Sequence, residues 1–284
     1  MRRRGCLHSL IIWAAVGLIA AGFWQYENNI IAAEPFSVPS ERLPAAFDGL
    51  RIAVVSDLHG KTFGPGNETL LDAVEAAEPD LIAITGDLAD ETCSAERVTA
   101  MVDTAAALDT IAPAYYISGN HEWVMDGTWD FYQWLEEGGV RVLHNEYEVL
   151  ERDGQQIVLA GVDDPNGPWD QKTPETLLEE IRAAHGDVYT VLLAHRNEDL
   201  PRWAALGVDV VLCGHAHGGV IRLPFVGGLL GTDRQLFPEF TAGLFTENCT
   251  SMVVSRGLGN SGVPFRLFNR PHIPVVSLET VSQP

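Results

Sequence analysis

An α/β fold built of layered sheets is the architecture this sequence predicts. From residue 50 onward, short β-branched runs alternate with helix-like stretches, and that alternation implies sheets covered by helices. Several of the runs, among them IAVVS, LIAIT and VDVVLC, are apolar almost without interruption, as befits central strands buried on both faces. The composition, 46% hydrophobic and 20% charged, is that of an ordinary globular chain and excludes a disordered or collagen-like one. With 284 residues, no internal repeat and no massed Gly/Pro linker, one core of roughly 230–240 residues is the simplest organisation.

The first element is an N-terminal segment, residues 1–32. Arg2, Arg3 and Arg4 precede an apolar run over residues 10–24, about fifteen residues, shorter than the roughly 20 that span a bilayer comfortably. A basic stretch followed by an apolar one is the layout of a secretory signal, and the arginines should stay in the cytoplasm with the rest of the chain outside. An uncleaved signal-anchor or transmembrane helix, a signal cleaved near Ile31-Ala32-Ala33, and a buried N-terminal helix are all compatible with the pattern. The leading expectation is a single-pass membrane protein with an extracytoplasmic domain, secreted if the signal is cleaved. Residues 33–49 read as linker and lead-in, and residues 50–284 as the domain.

Within that domain the clearest strands are residues 51–56, 80–85, 114–118, 156–161, 189–194, 208–213, 251–255 and 274–278. Helical patterns cover residues 67–77, 95–108, 128–137 and 174–184. The segment 220–244 is rich in Gly and Pro, lacks a helical period and has too many breakers for a core strand. Its Phe225, Val226, Leu229, Leu230, Phe237 and Phe240 either pack beneath a long loop or form an apolar lip facing lipid.

Almost every strand runs into a polar residue able to bind metal. Strand 51–56 meets Asp57 and His59; strand 80–85 meets Asp87; strand 114–118 meets Asn120, His121 and Glu122. Strand 189–194 meets His195, and strand 208–213 meets His215 and His217. Ligands bind beyond the carboxyl ends of strands in α/β sheets, so five such ends make one site. Two carboxylates, an amide oxygen and four imidazoles suit Mn, Fe or Zn and argue against calcium or a thiolate site. Gly86, Gly119 and Gly214 each precede a candidate ligand, where a side chain would obstruct the turn. Cys213 points away in the strand register, and Cys6, Cys93, Cys213 and Cys249 contain no CxxC pair that would suggest a zinc ribbon or disulfide framework.

The ordered series DLH, GD, GNHE, a lone His after a strand, and GHAHGG resembles the calcineurin-like metallophosphoesterases, over residues 51–278. The basic-apolar N-terminus and the segment from GHAHGG onward look most like the bacterial membrane-anchored YkuE/YaeI-type phosphodiesterases. The resemblance implies an α-β-β-α sandwich with two mixed sheets. It further implies two divalent ions, one held by Asp57, His59 and His217, the other by Asn120, His195 and His215, with Asp87 bridging. It implies in-line attack by a metal-bridging hydroxide, with His121 assisting the leaving group. Asp90 and Glu122 are then candidates for orienting imidazoles or holding waters.

Weaker candidates surround this set. Arg196, Asn197, Arg256 and Asn260 could contact substrate, and Asp163 and Asp164 end a strand on the same edge or simply form the turn before Pro165. His8, His144, His185 and His272 read as bystanders. A net charge of −21 argues against a nucleic-acid-binding surface; bound cations can reverse the sign of the local field for an anionic phosphoester. The preferred functional reading is a phosphodiesterase acting on a small-molecule or lipid-linked phosphoester. The alternatives are a pyrophosphatase of a nucleotide-linked lipid and a non-catalytic metal-binding envelope protein.

Overall fold

The computed structural model describes residues 2–219, 221–232, 234–260, 262 and 265–281, with side chains from Ile11 onward. The side chains of Arg2, Arg3, Arg4, Cys6 and His8, and residue Val220, lie outside the described residues. In chain order the elements are α1 (Arg2–Asn29), β1 (Ala32–Ser40), β2 (Arg51–Val55), α2 (Glu68–Glu75), β3 (Leu81–Ile84), α3 (Ala95–Ile111), β4 (Ala114–Tyr116), α4 (Thr128–Glu137) and β5 (Arg141–Val142). There follow β6 (Glu146–Arg152), β7 (Gln155–Val162), α5 (Pro174–His185), β8 (Thr190–Ala194), α6 (Leu200–Ala205), β9 (Val210–Cys213), β10 (Arg222–Leu223), β11 (Gly227–Gly228), β12 (Gly243–Glu247), β13 (Thr250–Val254) and β14 (His272–Thr280).

Two six-stranded mixed sheets carry the fold. The first runs β1-β14-β2-β3-β4-β5 and the second β12-β13-β9-β8-β7-β6. In the first sheet β2 through β5 are parallel and β14 is antiparallel to β2; in the second β13, β9, β8 and β7 are parallel, with β12 and β6 antiparallel at the edges. The period of two along each strand explains the near-continuous apolar runs. On β2, Ile52 and Val54 face the second sheet, whereas Ala53 and Val55 face the layer of α2, α3 and α4. On β9, Val210 and Leu212 enter the same inter-sheet core, and Val211 and Cys213 pack towards α5 and α6. Both faces are covered, so the strands have no polar side, and the layers are α-β-β-α as the family resemblance implies.

The structure departs from the sequence reading in three places. Residues 33–49, read as linker, are largely built into the fold: β1 lies along β14 in parallel register from Ala32↔His272 to Ser40↔Thr280. The alternating polar residues of β1 fit an edge strand, with Pro35 and Pro39 tolerated there. Six strands without a strong apolar run of their own, β1, β5, β6, β10, β11 and β12, escape a pattern search because edge and two-residue strands bury little.

The third departure is a correction to the expected membrane-spanning segment. Residues 2–29 form a 28-residue helix, but no helix among the described residues is long and apolar enough to cross a membrane. Its apolar stretch is interrupted at Gln25 and Glu27, and its last turn turns inward: Glu27 and Asn28 are buried, while Ile11, Trp13, Leu18 and Ile19 are exposed.

Candidate metal centre

The candidate ligands leave both sheets at their carboxyl ends. Asp57 and His59 follow β2, Asp87 follows β3, Asn120 and His121 follow β4, His195 follows β8, and His215 and His217 follow β9. Backbone bonds tie these loops together: Asp57 N–H donates to Gly86 O at 3.0 Å, His59 N–H to Asp87 O at 3.0 Å and Gly214 N–H to His195 O at 3.1 Å. Asp57, His59, Asp87, His215 and His217 all have positive φ, between 46° and 63°. That left-handed conformation is uncommon for residues with a side chain and clusters where the surrounding structure imposes it for function. Gly119 is demanded by close approach, since a Cβ there would sit 2.1 Å from Asp87 Oδ1.

The side chains form two groups of potential metal donors, Asp57–His59–Asp87–His217 and Asp87–His195–His215, the atoms of each within 4.8 Å of one another. Asp87 belongs to both. His59 Nε2 faces His217 Nε2 at 3.1 Å, His195 Nε2 faces His215 Nδ1 at 3.2 Å, and Asn120 Oδ1 lies 3.2 Å from His195 Nε2. Asp57, His59, Asp87, His195 and His217 are buried.

Neighbouring groups fix how these side chains present themselves. Thr85 O accepts from His195 Nδ1 at 2.7 Å, and Asp90 Oδ2 lies 3.2 Å from His59 Nδ1, so both imidazoles are free to offer Nε2. Asp90 thus lies where the expected orienting role would require it. Glu122 makes no hydrogen bond to an imidazole among the described residues. Fully buried, it accepts from the backbone N–H groups of Asp87 (3.0 Å), Gly119 (2.9 Å) and Leu88 (2.7 Å) and so staples two ligand loops together. Burial and the nearby Asp87 charge push its pKa up to about 7.

Electrostatics points to a cation. Burial opposes charge on every imidazole, yet at His195 the charge and hydrogen bond of Asp87, the Asp57 charge and the Thr85 carbonyl together outweigh it and lift that pKa to about 10. Asp87 itself is held below the usual range: burial raises its pKa, but the charge and hydrogen bond of His195, together with the neighbouring histidines, more than reverse that. His215, lacking a carboxylate so close, is pushed down to about 3 by burial and by His195. Buried carboxylates and imidazole nitrogens thus converge on one pocket, where in the absence of another cation protons are drawn onto the imidazoles. A divalent transition ion satisfies both, so the residues present fit the metal.

His121 stands at the rim, its side chain a quarter exposed and its ring centroid 4.9 Å from that of His59. Glu91 Oε2 sits 2.9 Å from its Nδ1 and Asp87 Oδ1 accepts from its backbone N–H, so neither contact uses Nε2. Glu91 was not legible as a partner: it is one of several acids in an exposed loop, and only the fold brings it to His121.

With that geometry in view, the comparisons with known proteins decide the family. The calcineurin-like phosphoesterase model matches residues 50–219. The chain belongs to the calcineurin-like phosphoesterase family. It is 28% identical to the metallophosphoesterase YkuE of Bacillus subtilis (strain 168), over 99% of each chain. It is 27% identical to the phosphodiesterase YaeI of Escherichia coli (strain K12), over 80% of this chain and 82% of that one. It is also 31% identical to a bovine transmembrane protein with a metallophosphoesterase domain, over 87% of this chain and 57% of that protein. As a calcineurin-like phosphoesterase, the chain is a phosphoric ester hydrolase with a buried Asp/His metal-binding cluster.

The weaker candidates divide. Arg196 borders a cleft of about 460 Å³ beside His215, but Asp164 holds its guanidinium at 2.8 and 3.1 Å. Asn197 lines the same cleft and donates to Phe240 O. Asp163 accepts from Ser118 Oγ at 2.7 Å and faces His144, away from the metal donors. Arg256 is clamped by Glu34 at 2.7 and 3.0 Å, and Asn260 accepts from Arg266. His185 meets Tyr147 and His272 is buried beside Glu34, neither near the centre. In the 220–244 loop Phe225, Val226 and Phe237 are exposed, whereas Phe240 packs against Phe245 at 5.0 Å. That loop also contributes Thr232, Gln235 and Glu239 to the cleft, polar residues hidden in a segment whose apolar residues dominated its reading.

Proposed function

We propose that this phosphoesterase hydrolyses phosphodiesters at a dinuclear divalent-metal centre, with His121 assisting departure of the leaving group. The observation that carries the proposal is the pair of donor groups sharing Asp87. Asp57, His59 and His217 would hold one ion and Asn120, His195 and His215 the other, with Asp87 common to both. Two such ions, Mn, Fe or Zn, would supply a water of lowered pKa and the positive field that offsets charge on the phosphoryl oxygens. His121 would act at Nε2 on the leaving oxygen, its ring held by Glu91. A purely metal-binding protein has no use for a histidine so oriented.

The cleft beside His215 favours a diester over a pyrophosphate. Its charged lining comprises Arg196, already neutralised by Asp164, and the carboxylates of Glu198 and Glu239. A second phosphate would be repelled there, whereas Asn197, Thr232 and Gln235 suit a neutral, hydroxyl-bearing leaving group. Export of the domain belongs to the same proposal, supported by Arg2–Arg4 ahead of the apolar run; a reporter fused after Pro284 should be active only if it is one that works outside the cytoplasm.

The test is a panel of phosphodiesters, monoesters and lipid pyrophosphates assayed with Mn, Fe and Zn, alongside metal analysis. Diester turnover abolished by chelation, with two ions per chain at saturation, is the expected result. One ion at saturation, or activity surviving exhaustive chelation, overturns the dinuclear reading. Preference for a pyrophosphate overturns the substrate reading.

A further inference from the structure

The last turn of α1 is buried although most of the described helix before it is exposed. Glu27 Oε2 accepts from Asn269 N–H at 2.9 Å. Asn28 makes a paired contact with Arg266, its Oδ1 accepting from Arg266 N–H at 2.7 Å and its Nδ2 donating to Arg266 O at 3.2 Å. Lys61 Nζ caps the helix end by donating to Asn28 O at 2.6 Å, and reaches Leu258 O at 3.3 Å. Two loops far apart in sequence, one after β2 and one between β13 and β14, therefore converge on two residues of one helix.

Each of those loops backs a candidate ligand of the same donor group. Asn269 Nδ2 donates to His217 O at 2.7 Å and lies so close to Gly218 that a Cβ there would approach Asn269 Oδ1 to 2.2 Å. The buried Arg266 guanidinium is held by carbonyls of Gly259, Arg256 and Asn269, and Gly259 N–H donates to Asp57 O at 2.6 Å. Lys61 follows His59 by two residues. No hydrogen bond described for this helix end reaches His195 or His215.

We propose that the end of α1 is a positioning element for the Asp57–His59–His217 half of the metal centre. Glu27 and Asn28 set the loops that fix Asp57 and His217, so the helix is a retained working part of the enzyme rather than a disposable leader. Cutting the chain near Ala32 would remove it. The inference rests on the metal reading above only for its affinity readout, because loop order is measurable without metal.

The experiment uses the full chain carrying Glu27→Ala with Asn28→Ala, and separately Glu27→Gln, which keeps an acceptor for Asn269. Amide hydrogen exchange in the metal-free protein should rise at least about tenfold at residues 257–260 and 266–269, with residues 195–197 unchanged. Calorimetric titration with Mn should show one affinity weakened about tenfold and the other kept, and Glu27→Gln should behave as wild type. Unchanged exchange in those loops, or a uniform rise throughout the domain, overturns the proposal. If the double variant fails to fold, Glu27→Ala alone gives the same reading at the Asn269–His217 link. A wild-type chain that binds no Mn would refute the metal reading and leave the exchange result to judge this one.

Discussion

Replacing Asp90 by asparagine is the most discriminating single change at the centre. Asp90 is oriented before it reaches His59: its Oδ1 accepts from Thr92 N–H at 2.9 Å and Thr92 Oγ at 2.6 Å, leaving Oδ2 to accept from His59 Nδ1 at 3.2 Å. An amide cannot serve both sides. With its oxygen towards Thr92, its NH₂ faces His59 and favours the tautomer that places the proton on Nε2, where the metal should bind. Turned the other way, it keeps the His59 bond and loses two acceptor contacts, each worth roughly 1 kcal/mol. Either route costs about 1.4–2.7 kcal/mol, a weakening of metal affinity by about 10–100-fold, as is usual for groups that orient a ligating histidine. Chelator competition with Mn or Co should show that loss for one ion, with the His195–His215 side retained because no bond links it to Asp90. Equal affinity and stoichiometry for Asp90→Asn and wild type would refute the assignment of His59 as a ligand presented by Asp90.

Other consequences follow from the same geometry. Asp87→Asn should impair binding of both ions, since Asp87 stands in both donor groups; loss of only one would break the bridging assignment. His121→Ala should retain metal and lose about 10²–10⁴-fold in turnover on a poor leaving group, with little effect on an activated aryl ester. Gly119→Ala should lower metal content and thermal stability together, because its Cβ would meet Asp87 Oδ1 and the Asp87 backbone. Near pH 8 metal binding should release about one proton from His195, whose pKa of about 10 keeps it charged in the free site, and the release should vanish well above pH 10. Calorimetry in buffers of different ionisation heat measures it. By linkage, a raised histidine pKa stabilises the metal-free fold fully below about pH 6.5, and that stability is lost as pH rises through 10. Lys61, pushed down to about 7 by burial and Arg266, acts in the opposite direction, so proton release is a cleaner readout than melting temperature.

The sequence by itself determined the layered α/β core and the identity of the candidate ligands. Strands such as β2 and β9 are apolar throughout because both faces are covered, and that signal is local. Asp57, His59, Asp87, Asn120, His195, His215 and His217 were legible because each ends a strand, and strand ends meet at one edge of an α/β sheet. The tertiary structure alone decided what depends on contacts between distant segments. Glu91 holds His121 across 30 residues of chain, and Glu122 binds two ligand loops rather than an imidazole. Edge strand β1 was hidden because an edge strand buries one face at most, and its partner β14 lies some 240 residues away. The N-terminal helix shows the difference most sharply. Its apolar run suggested a membrane segment by composition, but whether Glu27 and Asn28 face water or protein depends on Arg266 and Asn269, more than 230 residues along the chain.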